Sequence, residues 1–267
     1  MKESLVQRLL RARSSLGFWH MAEYAVKSRL LERPEGLLHR LNGTNRSYRL
    51  GARFLPCNLD VRSCTSDLST FWGVICRQQY CVPELPSRPS WIFDCGANVG
   101  YASAFFLSRY PDAGLVAVEP DPHNFSFLKK NVSHFGSRVE LVRGGLWSSE
   151  GGLKCTQALS GSRREWALQV RPCMLGEASD VEGVTVASLV RKFSIRRINI
   201  LKMDVEGAEI EVFRDHTDWL GLVDTILIEL HGKACAETFH RAVEPQGFNV
   251  VKYGEVTVAS RQLTRSV

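Results

Sequence analysis

Twice in close succession this chain runs a short apolar stretch into a carboxylate and then into helical sequence. The first stretch is Trp91-Ile92-Phe93-Asp94, followed by a glycine-rich turn and a helix expected over residues 101–110. The second covers residues 115–119 and ends on Glu119, ahead of a helix over residues 121–135 with Asp121 as its N-cap. Residues 139–143, 198–204 and 225–230 read as further strands, and residues 248–252 with 256–260 as a closing hairpin. Strands that alternate with helices build a mostly parallel sheet covered on both faces. The expected fold class is therefore α/β: a doubly wound, Rossmann-like sheet with a C-terminal antiparallel hairpin over residues 91–267.

Residues 51–90 read as a mixed segment ahead of this core, ending in a stiff linker at Pro83, Pro86 and Pro89. Residues 1–50 read as a basic helical extension, broken near Ser14–Gly17 and stopped by Pro34 and Gly36. That extension holds ten of the 34 Lys/Arg and four of the 28 acids, so the positive excess lies there and the rest of the chain balances. Trp19, Ala22, Val26 and Leu30 recur at helical spacing, which points to packing against the body, as a lid would pack. No apolar run approaches the roughly 20 residues of a membrane span. Arg8, Arg11 and Arg13 interrupt any signal-peptide core. The eight cysteines contain no C-x-x-C pair, and Cys76 and Cys81 have no second pair or nearby His to complete a zinc box. Free thiols and a cytoplasmic location are the expectation.

The turn reads Asp94-Cys95-Gly96-Ala97-Asn98-Val99-Gly100. At the carboxyl edge of a first strand, such a turn meets a nucleotide-like ligand. A pyrophosphate-binding turn would read G-x-G-x-x-G, yet Asn98 replaces the middle glycine and Asp94 would repel an anion. This disfavours a NAD(P)-dependent reductase, whereas a cationic sulfonium with a free ammonium finds a complement. Glu119 lies near the roughly 20-residue offset at which an acid takes ribose hydroxyls. No G-x-x-x-x-G-K-[ST] stretch is present. Together these features point to an adenosyl-type cofactor.

Further along, Leu201-Lys202-Met203-Asp204-Val205-Glu206-Gly207-Ala208-Glu209 leaves one strand and Glu229-Leu230-His231 leaves the next. Period-two alternation sets Lys202, Asp204 and Glu206 on one side, and Glu229 with His231 on one side. If both strands lie beside the first, acids, an amine and an imidazole converge there, as general-base chemistry or a hard-metal site requires. Glu209 reads as an acid favouring the start of a helix.

These segments, with Thr65-Ser66-Asp67-Leu68, Glu119-Pro120-Asp121-Pro122, Gly145-Leu146-Trp147-Ser148 and Ile228-Glu229-Leu230-His231-Gly232, resemble the FkbM family of S-adenosylmethionine-dependent methyltransferases over about residues 60–252. The resemblance implies a class I methyltransferase core and O-methylation of a sugar, polyketide or other small natural-product hydroxyl. Carried over by position, Asp94, Gly96, Asn98 and Gly100 line the methionine end of S-adenosylmethionine, Glu119 takes the ribose, and Leu146 and Trp147 lie near adenine. Asp204, Glu206, Glu229 and His231 face the acceptor. A neutral His231 oriented by Glu229 or Asp204 would serve as the base, and the resemblance names no single one. Mg²⁺ held by two of Asp204, Glu229 and His231 is the alternative, set second because no dense acidic cluster is visible.

Two other readings compete. A nucleic-acid ribose methyltransferase could use the basic extension, although Asp204-Val205-Glu206-Gly207 stands where base N-methylation needs an Asn/Asp-Pro-Pro-aromatic turn. Nucleic acid is thus not the expected partner. The other reading is a non-catalytic S-adenosylmethionine-binding module.

Overall fold

The computed structural model describes residues 47–157 and 168–261. The expected N-terminal helices, with Trp19 and its apolar stripe, lie outside the described residues. The last residues of that expected extension form a strand, β1 (Ser47–Leu50), which pairs antiparallel with β2 (Leu59–Arg62). Helix α1 (Asp67–Phe71) follows, and a single π-type turn, Trp72–Cys76, continues it. Asp67 has no exposed side-chain surface and accepts from Arg62 at 2.7 Å, which ties α1 to β2, while Asp60 O accepts from Tyr101 OH at 3.0 Å and joins the segment to the core.

The core then runs β3 (Trp91–Cys95), α2 (Tyr101–Arg109), β4 (Gly114–Val118), α3 (Pro122–Val132) and β5 (Val139–Val142). Asp121 caps α3 as expected, accepting from the Asn124 amide at 2.7 Å, with Pro122 in the first turn. Gly100 opens α2 at φ +89°, and a Cβ there would stand 2.8 Å from Leu128 Cδ1, so glycine lets α2 pack closely on α3.

Four short strands come next: β6 (Gly145–Leu146), β7 (Gly151–Gln157), β8 (Leu168–Pro172) and β9 (Val181–Val184). They form a separate sheet in the order β6-β9-β7-β8. The sequence pattern does not announce it. The core resumes with α4 (Val186–Lys192), β10 (Ile198–Met203), α5 (Glu209–Arg214), β11 (Val223–Glu229), α6 (Lys233–Val243), β12 (Asn249–Tyr253) and β13 (Val256–Ser260).

The main sheet has seven strands in the order β12-β13-β11-β10-β3-β4-β5. Strands β3, β4, β5, β10 and β11 run parallel, and β13 pairs antiparallel with β11 and β12. One face packs Ile92, Leu115, Ile200 and Leu227 against Phe105, Phe106 and Leu128. The other packs Phe93, Val116, Leu201 and Ile226 against Leu189, Phe213 and Phe239. This is the α/β doubly wound arrangement expected, with its hairpin. One expectation needs correction: only β10 lies beside β3, while β11 lies beyond it. Strand order reverses between β3 and β10, and in such sheets ligands enter the crevice outside the carboxyl ends at that reversal. Among the described residues no helix is long and apolar enough to cross a membrane. All eight cysteines are free, although Cys64 and Cys81 are exposed rather than buried.

Candidate active site

At the end of β3 the amides of Gly96 and Ala97 both donate to Val118 O, at 3.0 and 2.9 Å, which bends the turn onto β4. Gly96 has φ +79°, and a Cβ there would stand 1.8 Å from Asp204 O. The ends of β3 and β10 therefore approach so closely that no side chain fits between them. Asn98 also takes a left-handed φ of 51°. Its amide donates to Glu119 Oε2 at 2.7 Å, while its own Oδ1 is buried and accepts nothing. Glu119 Oε1 accepts from the Asp121 amide at 3.0 Å and from Asn124 Nδ2 at 3.5 Å. Burial pushes the Glu119 carboxyl up to about 7 against the pull of these hydrogen bonds.

A solvent-open cleft lies over this edge, and Gly96, Asn98, Glu119, Leu146, Asp204 and Glu206 all line it. Asn124, Gly144, Leu168 and Val170 line it too, and the sequence pattern alone does not single them out. Asn124 is hidden one turn inside α3. Leu168 and Val170 belong to the unforeseen sheet. Asp94, Gly100 and Trp147 are not part of the wall. Gly100 is a packing glycine, and the Trp147 amide ties β6 to β9 through Val184 O at 2.9 Å.

Asp94 lies beneath the turn, off the cleft wall. It is fully buried, accepts from Ser103 Oγ at 2.6 Å, and lies 3.2 Å from Lys202 Nζ. Register sets Lys202 directly beside Asp94, so the amine neutralises the carboxylate from within. Burial disfavours the ammonium, but Asp94 and its neighbours hold Lys202 above its ordinary range. Lys202 Nζ also donates to Gly96 O at 2.7 Å. The pair braces the turn from beneath.

The acceptor-side residues regroup as well. The Asp204 amide donates to Cys95 O at 3.0 Å, and its Oδ1 is buried without a hydrogen-bond partner. Burial raises the Asp204 carboxyl despite Lys202 and His231. Glu206 sits at φ 52°, and burial pushes its carboxyl up to about 7 while His231 pulls it down. His231 Nε2 lies 3.7 Å from Asp204 Oδ1 and 3.6 Å from Glu206 Oε2. Its Nδ1 meets Glu209 Oε1 at 2.7 Å. Glu209 is wholly buried at the start of α5, and its second oxygen accepts from Cys235 Sγ at 3.5 Å. The Glu209 hydrogen bond raises His231 to about 9 against burial, so a neutral imidazole is not its resting form near pH 7.

Glu229 does not orient His231. Strand β11 ends at Glu229, so alternation stops before His231. Glu229 Oε1 instead accepts from Gln79 Nε2 and Tyr80 OH, both at 3.1 Å. Burial, then Asp204, lifts it to about 6. Only Glu209 fills the orienting role, and its place in a helix first turn disguises it in the sequence.

A parallel sheet with a cleft at its point of reversal, a glycine turn braced against the next acid-ended strand, and a closing antiparallel hairpin define a class I methyltransferase. The sequence narrows this further. A match to the Methyltransferase FkbM domain spans residues 94–245, more than half of the chain, and the protein belongs to that family. Methyltransferase sdnD from Sordaria araneosa is 29% identical over 65% of this chain and 78% of its own length. Methyltransferase 1 from Beauveria bassiana is 30% identical over 60% of this chain and 73% of its own. Hexuronic acid methyltransferase AglP from Haloferax volcanii is 26% identical over 52% of this chain and 55% of its own.

Membership implies S-adenosylmethionine as the methyl donor, and the cleft suits it chemically. That molecule presents an ammonium and ribose hydroxyls that donate, beside a carboxylate that accepts. The wall presents acceptors: Glu119, and the buried Oδ1 atoms of Asn98 and Asp204 that no protein donor satisfies. A buried acceptor left empty is costly, so a donor-rich ligand is the natural complement.

Proposed function

We propose that this protein is an S-adenosylmethionine-dependent O-methyltransferase acting on a hydroxyl of a sugar or other small natural product. The observation that carries the reading is that one cleft is lined both by Asn98 and Glu119 and by Asp204 and Glu206. Cofactor-type acceptors and acids able to take a hydroxyl proton thus share one cleft. The relative named for hexuronic acid supports a sugar acceptor.

When bound, S-adenosylmethionine supplies an electrophilic methyl group. The chain supplies position and a proton sink. Glu119 accepts hydrogen bonds from the ribose hydroxyls, and Asn98 Oδ1 accepts from the amino-acid end. Leu146 offers an apolar wall to the adenine. Gly96 keeps the turn close to β10, so donor and acceptor meet without a loose gap, and much of the rate gain in such a displacement comes from position. Glu206 accepts the hydroxyl proton as the oxygen attacks, with His231 fixed beside it.

Calorimetry with S-adenosylmethionine and its demethylated product tests the cofactor half. Both should bind, and Glu119→Ala should weaken them by about 1–3 kcal/mol, the range for hydrogen bonds to a charged group. Tight NAD binding with no response to either sulfur compound would reject it. Methyl transfer to uronic acids and other sugars, with RNA as the competing acceptor, tests the rest. RNA methylation with no sugar turnover would sink the small-molecule reading.

A further inference from the structure

The gap between Asp204, Glu206 and His231 has the dimensions of a coordination site. One ligand atom from each lies within 4.8 Å of the others, and His231 Nε2 is 3.7 and 3.6 Å from the two carboxylate oxygens. These separations are too long for hydrogen bonds, so the three groups surround a space instead of closing it. Metal–ligand bonds of about 2.1 Å in a tetrahedral site set ligand atoms about 3.4 Å apart. The two separations from His231 Nε2 exceed that by a few tenths of an ångström, and the two carboxylate oxygens lie within 4.8 Å of each other.

Two further features point the same way. Asp204 Oδ1 is a buried atom of a partly exposed side chain and accepts no hydrogen bond among the described residues, with His231 Nε2 facing it at 3.7 Å. Glu209, itself buried, holds His231 Nδ1 at 2.7 Å and so directs Nε2 into that gap. A metal-ligating histidine characteristically gives its other ring N–H to a carboxylate, which fixes both tautomer and ring orientation. Here the orienting carboxylate comes from α5 and the imidazole from the end of β11, so the fold sets the geometry before any ion arrives.

We infer that Asp204, Glu206 and His231 bind one divalent cation through Asp204 Oδ1, Glu206 Oε2 and His231 Nε2, with Glu209 as the residue that positions the imidazole. The donor set of one imidazole nitrogen and two carboxylate oxygens suits Mn²⁺ or Zn²⁺ better than a cage of hard oxygens for Ca²⁺. Three protein ligands leave a position open, as in catalytic metal sites. Asp204 and Glu206 also line the cleft, so that position is within reach of a bound hydroxyl, whose proton the cation would make easier to remove. This last consequence rests on the proposed O-methyl transfer, whereas the binding itself does not.

The test is Mn²⁺ titration of the full chain, stripped with chelator, followed by the loss of the free-ion electron paramagnetic resonance signal. One Mn²⁺ per chain is expected. Glu209→Gln should weaken it by ~10–100-fold, as loss of an orienting partner does, and Asp204→Asn and His231→Gln should weaken it further. S-adenosylmethionine calorimetry on His231→Gln and Glu209→Gln shows whether each variant is folded. Folded wild-type protein that takes up neither Mn²⁺ nor Zn²⁺ at millimolar concentration overturns the site. So does Mn²⁺ affinity unchanged in the folded His231→Gln protein. Mn²⁺ binding without methyl transfer to any hydroxyl would leave the site and remove the proposed function. Full methyl transfer in EDTA with no bound ion would do the reverse.

Discussion

Asp94 and Lys202 are register partners on adjacent parallel strands, and they bury an ion pair at 3.2 Å directly under the glycine turn. Lys202 also holds Gly96 O, so the charge pair and the turn geometry are one unit. Breaking a buried pair by removing one partner strands the other charge, whereas removing both charges is far milder. Lys202→Met should therefore cost ~3–5 kcal/mol in urea denaturation, and Asp94→Asn combined with Lys202→Met clearly less. Additive losses would mean that the two groups do not compensate each other.

Gly96 is the residue on which closure of β3 against β10 depends. An alanine Cβ would meet Asp204 O at 1.8 Å, and the φ of +79° is itself costly for a side chain. Strain at such a backbone position alone costs of order 1–3 kcal/mol, and the clash adds to it. Gly96→Ala should lower the thermal midpoint and abolish S-adenosylmethionine binding together. A variant with normal stability and affinity would show that the two strand ends can part freely.

Much of this site is legible in the amino-acid sequence itself. Asp94 and Glu119 do end adjacent strands, Asp121 does cap α3, and Asp204 does flank the reversal point. These features are local, set by strand period, turn chemistry and capping. What escapes a sequence pattern depends on contacts across long stretches of chain. Gln79 reaches Glu229 over 150 residues, so the pre-core segment takes away the partner expected for His231. Glu209 meets His231 from 22 residues upstream, and no periodic pattern links a helix first turn to a strand end. Strands β6 to β9 stay hidden because Gly145, Gly151, Gly152 and Gly183 dilute their apolar alternation and much of β8 is only half-buried.

Glu119 should impose a pH dependence on cofactor binding. Its carboxyl is raised from 4.5 to about 7 by burial, and the ionised form is the better acceptor for ribose hydroxyls. Affinity for S-adenosylmethionine should then fall as pH drops below about 7, approaching about tenfold per unit, and Glu119→Gln should flatten this profile. Stability runs the other way. The folded state holds this proton more tightly than the unfolded chain, so its contribution is full below pH 4.5 and is lost as pH rises through about 7. Calorimetry across that window, with denaturation at each pH, separates the two effects. Affinity that stays flat in the wild type would remove Glu119 from the ribose contact.

Glu206 lines the cleft without sharing the burial of Glu209, and on the proposed reading its second carboxylate oxygen takes the hydroxyl proton whether or not Oε2 holds a cation. Glu206→Gln keeps the shape but removes the basic oxygen. It should lower kcat by ~10²–10⁴-fold, the usual contribution of a positioned base, and leave the affinity for S-adenosylmethionine within a few-fold. A proportionate loss of cofactor affinity, with kcat retained, would instead make Glu206 part of the donor site.

The basic extension offers the last prediction. Residues 1–50 hold the chain's whole positive excess beside the apolar stripe of Trp19, Ala22, Val26 and Leu30. On the proposed reading Asn98 and Glu119 of the core hold the cofactor, so the extension is not needed for that step. Its positive charge suits recruitment of an anionic acceptor such as a uronate. Deleting residues 1–40 should then leave S-adenosylmethionine affinity intact and abolish acceptor methylation. If the shortened chain methylates its acceptor at the full rate but no longer binds RNA or anionic vesicles at low salt, the extension is an electrostatic tether and does not recruit the acceptor.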